Sequence, residues 1–340
     1  MEDVVLVTGC AGFIGFHLTT QLLAQGKFVV GVDSLNNYYS TQLKRDRLER
    51  LRSDRLVFRE LDLANQQSTD QLFQDFKFSR VYHLAAQPGV RYSLTHPRAY
   101  MSSNLDGFLN ILEGCRHQGT SHLIYASSSS VYGLNTSMPF STEDSTDHPI
   151  SLYGATKKAN ELMAHAYAHA FGLPSTGLRF FTVYGPWGRP DMAILLFARA
   201  ITRGETIKVF NHGKMKRDFT YVDDIVQGIL RVGELIPTPD PAWDSDSPSP
   251  ASSSVPYRIF NIGNHQPVDL DDFIDLLEAQ LGRKAIREYL PCPVGDVLET
   301  FADITDLQRV TDFAPNTPIE VGIERTMAWY KEYRLTNPDL

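Results

Sequence analysis

The fold of this chain is decided by the stretch Val4-Val5-Leu6-Val7-Thr8-Gly9-Cys10-Ala11-Gly12-Phe13-Ile14-Gly15. Its valine-rich beginning predicts a buried parallel strand. The glycines that follow are spaced Gly9-x-x-Gly12-x-x-Gly15, and apolar residues at helical spacing come after them. A strand, a glycine turn and a helix N-terminus together form a cradle in which phosphates can approach backbone N–H groups. The stretch therefore predicts a site for the pyrophosphate of a dinucleotide.

A second apolar stretch, Phe28-Val29-Val30-Gly31-Val32-Asp33, follows the predicted helix and ends in an acid. A carboxylate at this point suits the two ribose hydroxyls of an adenosine and would repel a 2′-phosphate, so NAD is predicted rather than NADP. The alternative is a glycine turn that only packs the helix on the strand, with a solvated acid beside it. The cofactor-binding residues predicted from this unit are Gly9, Gly12, Phe13, Ile14, Gly15 and Asp33.

Composition limits the classes of protein to which the chain can belong. Its 340 residues are 42% hydrophobic and 21% charged, which is ordinary for a globular protein. A net charge of −8 argues against nucleic acid or an anionic membrane as the main partner. The cysteines Cys10, Cys115 and Cys292 are scattered, so neither a disulfide framework nor a metal site is expected. Because neither a signal-peptide pattern nor a membrane-spanning run is visible, a cytoplasmic location is expected.

Predicted strands alternate with predicted helices in the first half of the chain. This alternation indicates a parallel sheet with helices on both faces, and right-handed crossovers make it a Rossmann-like doubly wound α/β fold. Residues 1–179 are predicted to form this NAD-binding domain. Its predicted strands are Val4–Thr8, Phe28–Asp33, Leu56–Arg59, Val81–Leu84, Leu123–Ala126 and Thr176–Arg179. Its predicted helices are Gly12–Gln25, Thr41–Arg52, Ser68–Phe76, Arg98–Gly119 and Tyr153–Phe171.

The alternation fades after Arg179, and residues 180–340 are predicted to form a smaller C-terminal α/β lobe that binds the substrate. Residues 237–256 are rich in Pro, Ser and Asp and cannot bury a core, so a disordered surface insertion is expected there. The predicted helices of the lobe are Met192–Thr202, Val222–Glu234, Leu270–Leu281 and Pro318–Tyr333, and its strands are Ile207–Phe210 and Arg258–Ile262.

Two further segments carry residues suited to proton transfer. Tyr153 and Lys157 are four residues apart in a predicted helix, so they share one helical face. The ammonium group and the positive nicotinamide of NAD⁺ both favour a phenolate, so we expect the pKa of Tyr153 to fall towards neutrality. Ser128 lies in Tyr125-Ala126-Ser127-Ser128-Ser129-Ser130-Val131-Tyr132-Gly133, after the fifth predicted strand, where hydroxyls can hydrogen-bond a substrate oxygen. Taken alone, such a Tyr-Lys pair can arise by chance, and serines can form a plain loop.

The glycine turn, the serine segment and the Tyr-Lys pair together resemble the extended short-chain dehydrogenase/reductase family, over nearly the whole chain. The resemblance implies that Tyr153 is the catalytic base and that Ser128 is its hydroxyl partner. It implies that Lys157 assists the tyrosine and binds the nicotinamide ribose. Further cofactor-binding residues implied by the resemblance are Asp62 and Leu63 near the adenine, and Leu84, Ala85 and Ala86 along the cofactor.

Within this family the chain resembles the nucleotide-sugar epimerases, and most of all the UDP-glucuronate 4-epimerases. The segments that carry this resemblance are 33–45, 88–93, 179–192 and 217–224, and Gly188-Arg189-Pro190-Asp191-Met192 is the most discriminating part. The resemblance implies NAD-dependent inversion at C4 of a UDP-sugar through a transient 4-keto sugar. It also implies a homodimer whose seam is formed by the helices Arg98–Gly119 and Tyr153–Phe171.

The arginines of these segments suit a uronic acid joined to UDP. A carboxylate at C6 needs a fixed cation, preferably a guanidinium fork, and Arg189 follows the sixth predicted strand at the substrate edge. Arg217 suits the diphosphate, and for each arginine the alternative is a solvated surface charge, most of all for Arg91. The predicted substrate-binding residues are Arg91, Ser128, Ser129, Thr182, Arg189 and Arg217.

Other activities of the same family are alternatives. UDP-galactose 4-epimerases resemble the chain less, because they have Asn in place of Thr182 and Arg in place of Pro293, three residues before Asp296. UDP-glucuronate decarboxylases and 4,6-dehydratases place acids where this chain has Ser129 and Ser130. A non-catalytic NAD-sensing regulator is a remote alternative, because such proteins usually lose the Tyr-Lys pair.

Overall fold

A seven-stranded sheet forms the centre of the computed structural model, which describes residues 3–291 and 297–338. The strands of the protein are β1 (Val4–Thr8), β2 (Phe28–Asp33), β3 (Leu56–Glu60), β4 (Arg80–His83), β5 (His122–Ser128), β6 (Ser175–Phe180), β7 (Thr182–Tyr184), β8 (Thr206–Phe210), β9 (Lys216–Tyr221), β10 (Tyr257–Ile262), β11 (Pro267–Asp269) and β12 (Ile286–Leu290). The central sheet has the order β10-β6-β5-β4-β1-β2-β3, and all its neighbouring strands are parallel. The strand order reverses between β1 and β4, which opens a crevice at the carboxyl ends of these strands.

Helices cover both faces of the central sheet. They are α1 (Phe13–Ala24), α2 (Thr41–Arg50), α3 (Gln66–Asp75), α4 (Val90–Thr95), α5 (Pro97–Tyr100), α6 (Gly107–Gln118), α7 (Leu152–Phe171), α8 (Ala193–Arg203), α9 (Val222–Gly233), α10 (Leu270–Leu281), α11 (Thr305–Thr311) and α12 (Ile319–Arg334). Successive residues of a strand point to opposite faces. Val5 and Val7 accordingly share a core with Leu18 of α1, whereas Leu6 shares the opposite core with Phe108 of α6. The predicted Rossmann-like α/β fold is confirmed.

The C-terminal part of the chain contributes to the central sheet as well as to a smaller unit. β10 pairs with β6, and α9 packs against α1, so both belong with the central sheet although they follow residue 179. A third core, with Ile194, Ile207 and Phe273, joins α8 and α10 to β8. Two small sheets, β11-β9-β7 and β12-β8, complete this unit. The predicted division into domains at residue 179 stays a prediction.

One predicted helix differs in form from the structure. The segment predicted as a single helix over Arg98–Gly119 consists of α5, a π-helical turn at Met101–Asp106, and α6. The side chain of Asn104, in the wide turn, donates to the carbonyl of Gln87 at 3.2 Å and to Oγ1 of Thr156 at 3.1 Å. Tertiary partners therefore accompany the wide turn that a simple helical period does not predict.

The Pro- and Ser-rich insertion at 237–256 contains no helix or named strand. It is fastened near its two ends, because the backbone N–H of Asp240 donates to the carbonyl of Ser253 at 2.8 Å, and Arg258 donates to the Asp240 carboxylate at 3.3 Å. Ala251 is buried. The disorder expected from composition stays a prediction.

Candidate active site

The glycine cradle has the geometry that a pyrophosphate site needs. Gly9 has φ +72°, and a Cβ on it would lie 2.9 Å from the backbone nitrogen of Ala85. A Cβ on Gly15 would lie 2.0 Å from the carbonyl oxygen of Gly9. Helix α1 begins at Phe13 with Gly12 as its N-cap, and no side chain caps it. The glycines thus fold the turn tightly against the helix, so that backbone N–H groups and the positive helix end face the crevice.

Asp33 ends β2 beside this cradle and is buried. Its Oδ1 accepts a hydrogen bond from the backbone N–H of Leu35 at 2.9 Å and lies 3.7 Å from Nζ of Lys44. Lys44 was not predicted, although it stands in one of the segments that carry the family resemblance. Burial lowers the pKa of Lys44, and the Asp33 carboxylate opposes that shift. This side of the crevice therefore holds a carboxylate whose position is set by a backbone N–H and a nearby cation.

One cavity of about 420 Å³ brings together most of the predicted residues. All the predicted cofactor-binding and catalytic residues border it. They are Gly9, Gly12, Phe13, Ile14, Gly15, Asp33, Asp62, Leu63, Leu84, Ala85, Ala86, Ser128, Tyr153 and Lys157. Four of the predicted substrate-binding residues, Ser128, Ser129, Thr182 and Arg189, border the same cavity. The arrangement follows from the topology, because the carboxyl ends of parallel strands meet at one edge of the sheet.

The loop after β4 is held along this cavity by two polar side chains. Oγ1 of Thr8 accepts a hydrogen bond from the N–H of Ala85 at 3.1 Å and contacts Nδ1 of His83 at 2.9 Å. Oδ1 of Asn104 accepts from the N–H of Gln87 at 2.7 Å. The backbone that runs beside the crevice is therefore fixed from both sides.

Tyr153 lies in the first turn of α7, which Ser151 caps by accepting from the N–H of Gly154 at 3.0 Å. A Cβ on Gly154 would lie 2.6 Å from the carbonyl oxygen of Ser130, so the glycine lets the serine loop approach the helix. Tyr153 and Ser128 border the same cavity, and hydrogen bonding with Ser128 acts to lower the pKa of Tyr153. The hydroxyl partner predicted for the tyrosine is thus within its reach.

The protein's own side chains do not produce the predicted fall in the pKa of Tyr153, and the part of the prediction that rests on the nicotinamide of NAD⁺ stays a prediction. Burial raises this pKa above its ordinary value, and the Ser128 hydrogen bond and the charge of Arg189 only reduce the rise. The ammonium of Lys157 donates to the carbonyl of Ala126 at 2.8 Å, and burial lowers its pKa to about 8. Although Lys157 and Tyr153 share a helical face, the Lys157 ammonium therefore hydrogen-bonds the backbone of Ala126 and not the phenol of Tyr153.

Arg189 faces the cavity with one edge of its guanidinium already paired. Its Nε and Nη2 donate to the two carboxylate oxygens of Asp191 at 3.0 and 2.6 Å. The hydroxyl of Tyr38 donates to the same carboxylate at 3.1 Å. Burial acts to raise the pKa of Asp191, but the hydrogen bonds and the charge of Arg189 outweigh it and lower this pKa. The roles of Tyr38 and Asp191 were not predicted, because a contact across 153 residues leaves no periodic signal in the sequence.

The other two predicted arginines lie elsewhere. Arg217 borders a second cavity of about 200 Å³, and Ser129, Ser130 and Thr182 line this cavity as well as the main one. Arg217 donates to the carbonyl of Val297 at 2.6 Å. Arg91 is exposed, with its guanidinium 4.5 Å from the ring centre of Phe210, and it does not border either cavity. Pro293 and Asp296, which bear on a second diphosphate contact, lie outside the described residues, as does Cys292.

A buried ion pair supports the serine loop from behind. Arg179 donates from Nε and Nη2 to Glu161, each at 2.9 Å, and Oγ of Ser127 donates to the same carboxylate at 2.6 Å. Arg179 also contacts the hydroxyl of Tyr132 at 3.1 Å. Because every charge of this pair is matched, burial is tolerated, and the strand end that carries Ser128 is held rigidly.

The described part of the chain has neither a metal-binding cluster nor a membrane-spanning helix. No group of three or more His, Cys, Asp or Glu side chains there is arranged to hold a metal ion. Among the same residues, no helix combines the length and the apolar character that crossing a bilayer requires.

Comparison with known proteins identifies the family of the chain. The model of the "NAD dependent epimerase/dehydratase family" matches residues 5–242. Protein CapI of Staphylococcus aureus is 53% identical over 97% of this chain and 98% of its own length. UDP-glucuronate 4-epimerase 2 of Arabidopsis thaliana is 45% identical over 97% of this chain and 76% of its own length. The crystal structure of UDP-glucuronic acid 4-epimerase from Bacillus cereus, in complex with UDP-glucuronic acid and NAD, superposes with a TM-score of 0.84 at 32% identity, over 97% of this chain and 99% of that one. The chain therefore belongs to the NAD-dependent epimerase/dehydratase family.

Proposed function

We propose that the protein interconverts UDP-glucuronate and UDP-galacturonate by NAD-dependent epimerisation at C4. The observation that carries this proposal is a single cavity bordered by the glycine cradle, by Tyr153 with Ser128, and by Arg189. Such a reaction needs three parts, namely a dinucleotide site, a proton-transfer pair and a guanidinium that binds a carboxylate. Relatives named as UDP-glucuronate 4-epimerases support the choice of sugar.

Proton transfer at O4 falls to Tyr153 and Ser128. Bound NAD supplies the hydride acceptor and donor for C4. The Tyr153 oxygen takes the O4 proton while C4 is oxidised and returns it when C4 is reduced, and Ser128 hydrogen-bonds the same oxygen in both states. Because burial raises the pKa of Tyr153, positive charge near the phenol is needed to favour the phenolate. Arg189 already acts in that direction.

Inversion requires that the 4-keto sugar turn over while UDP stays in place. The second cavity, with Arg217 on its border, adjoins the main one through Ser129, Ser130 and Thr182, and it suits the diphosphate end of the substrate. Firm contacts to UDP and weak contacts to the sugar let the ring present its other face without release.

The 4-keto uronate is a β-keto acid and can lose CO₂. The loop carries Ser129 and Ser130 where elimination would need an acid, and Arg189 with Thr182 would hold the carboxylate in the plane of the sugar. In that plane the C5–C6 bond cannot align with the carbonyl π system, so decarboxylation is disfavoured.

Arg189→Ala should raise the pentose by-product or abolish binding of UDP-glucuronate. If neither changes, the carboxylate does not bind at Arg189.

The activity is tested by product analysis with no added NAD. Purified protein is incubated with UDP-glucuronate and, separately, with UDP-glucose, and the products are identified by NMR. We expect UDP-galacturonate from the first and little product from the second. UDP-galactose as the main product identifies a UDP-galactose 4-epimerase, and UDP-pentose identifies a decarboxylase.

A Tyr153→Phe variant should lose about 10²- to 10⁴-fold in kcat, whereas undiminished turnover would favour a non-catalytic role for the site.

We propose, further, that the protein works as a cytoplasmic homodimer. Large apolar side chains are exposed along the predicted seam, namely Met101 (41%), Leu109 (41%), Leu162 (60%) and Phe171 (50%). Such side chains exposed along neighbouring helices are typical of an interface between protein copies. Light scattering of the purified protein tests the proposal, and Leu162→Glu should shift the mass to that of a monomer. A wild-type protein with the mass of one chain would contradict it.

A further inference from the structure

The guanidinium proposed to bind the substrate carboxylate is already neutralised by a carboxylate of the protein. Asp191 engages Nε and Nη2 of Arg189 as a bidentate fork, the same geometry in which a guanidinium binds other carboxylates. The Tyr38 hydroxyl holds Asp191 from a different part of the chain. Tyr38 in turn packs on Tyr92, with ring centres 4.9 Å apart. The pair is therefore fixed in the protein before any substrate arrives.

This pairing has a consequence for a charged sugar that it does not have for a neutral one. A uronate entering the cavity meets an arginine whose charge is largely compensated and a second carboxylate nearby. Attraction to the guanidinium and repulsion from Asp191 partly cancel, because the two charges lie within hydrogen-bonding distance of each other. A sugar with a hydroxymethyl group at C6 is almost indifferent to both.

We propose that Asp191 is a positioning residue that weakens the hold of Arg189 on the substrate carboxylate, so that the 4-keto uronate can turn over between the two hydride transfers. The inference rests on the proposed function. It assigns to Asp191 a role in turnover that its two partners do not have. Arg189 supplies the cation, Tyr38 fixes the carboxylate, and Asp191 sets how much positive charge the sugar encounters.

The proposal makes opposite predictions for binding and for turnover. Asp191→Asn keeps the shape of the side chain and its hydrogen bond with Tyr38 but removes the charge. UDP-glucuronate should then bind about five- to tenfold more tightly, as expected for a partly exposed ion pair, while kcat falls by a similar factor. Binding of UDP-glucose and of UDP should change less than about twofold, because neither carries a sugar carboxylate.

The experiment measures affinity and turnover separately. Isothermal titration uses NAD-loaded protein in a Tyr153→Phe background, so that UDP-glucuronate, UDP-glucose and UDP are not converted during the titration. Steady-state kinetics uses Asp191→Asn with Tyr153 intact. Asp191→Glu keeps the charge and should restore the wild-type ratio of the two affinities, and Tyr38→Phe removes a hydrogen bond without removing charge and should move that ratio less than Asp191→Asn.

The outcomes separate this proposal from the proposed function. Tighter UDP-glucuronate binding with a lower kcat supports the role of Asp191, whereas unchanged or weaker binding of UDP-glucuronate overturns it. If the wild type converts UDP-glucose and not UDP-glucuronate, the proposed function fails. The binding arm still decides whether Asp191 screens Arg189, because it compares a charged with a neutral ligand without requiring turnover.

Discussion

At the scale of single residues, Gly15 makes the sharpest prediction. Gly15→Ala places a Cβ 2.0 Å from the carbonyl oxygen of Gly9, a backbone atom that cannot move without opening the cradle. We expect the variant to lose bound NAD during purification, measured by releasing the nucleotide and quantifying it by chromatography. Gly107→Ala is the matched control, because its Cβ would meet Leu63 at an ordinary 3.5 Å. Full NAD content in Gly15→Ala would show that the cradle tolerates a side chain.

Some residues of the site could be predicted from the sequence, and others could not. Gly9 and Asp33 could be predicted because a glycine turn between a strand and a helix has few other uses. The pKa of Tyr153 could not be predicted, because burial by other elements raises it and because the backbone carbonyl of Ala126 in β5 holds the Lys157 ammonium. Asp191 was visible only as part of a motif, since its partner Tyr38 lies 153 residues away.

At the scale of elements, α2 connects the glycine turn with the loop that carries Arg189. Its fully buried Arg47 donates to the carbonyl of Ala11 at 2.8 Å and to those of Trp187 at 2.6 Å and Gly188 at 3.2 Å. These bonds place the residue before Arg189 directly beside the glycine turn. A displacement of the glycine turn would therefore displace the loop that carries Arg189, and a displacement of the loop would displace the turn.

Arg47→Met should consequently damage both halves of the site at once. Charge-assisted bonds to three carbonyls are lost, and we expect the free energy of unfolding to fall by about 2–4 kcal/mol. NAD retention should fall, and KM for UDP-glucuronate should rise. Arg45→Met, an exposed position on the same helix, is the control and should leave all three quantities close to wild type. An effect on NAD alone would show that α2 does not couple the cradle to the loop.

The elements differ in how far the sequence specifies them. β1, β2 and α10 have the bounds that apolar runs and helical periodicity predict. The π-helical turn at Met101–Asp106 was not predictable, because its partners on the loop after β4 and on α7 are remote in sequence. The small strands β11 and β12 were missed. β11 has only three residues, and no residue of either strand is fully buried, so neither strand has the apolar run or the alternation that marks β1.

At the scale of the whole molecule, the site lies at the one edge of the central sheet where the carboxyl ends of its parallel strands meet. The topology could be predicted from alternating strands and helices, and it brings Gly9, Ser128 and Arg189 to one cavity. What the alternation could not predict is that β10 returns to the central sheet after β7, β8 and β9, which lie in two smaller sheets. This return makes the two parts of the chain share a core, so the stability of the sheet and the shape of the site are linked.

That shared core contains histidines whose titration we expect to control stability in acid. His83 and His122 are buried, and burial lowers their pKa values to about 3 and about 4. In the unfolded chain a histidine titrates near pH 6.5, so below that pH the unfolded state binds protons that the folded state does not. Stability must therefore fall as the pH drops from about 6.5 towards 4, by up to about 1.4 kcal/mol per pH unit for each histidine.

The histidine contribution can be isolated with one buried and one exposed variant. His122→Gln keeps a polar group near Oγ1 of Thr176, which the ring contacts at 2.8 Å, and removes the titrating group. Its Tm, followed by circular dichroism between pH 7 and about pH 5, should fall less steeply than that of the wild type, even if its Tm at pH 7 is lower. His148→Gln, at an exposed position, should keep the wild-type slope. Equal slopes for His122→Gln and wild type would mean that His122 takes up a proton as readily in the folded protein as in the unfolded chain, and that the core beneath the site admits that charge.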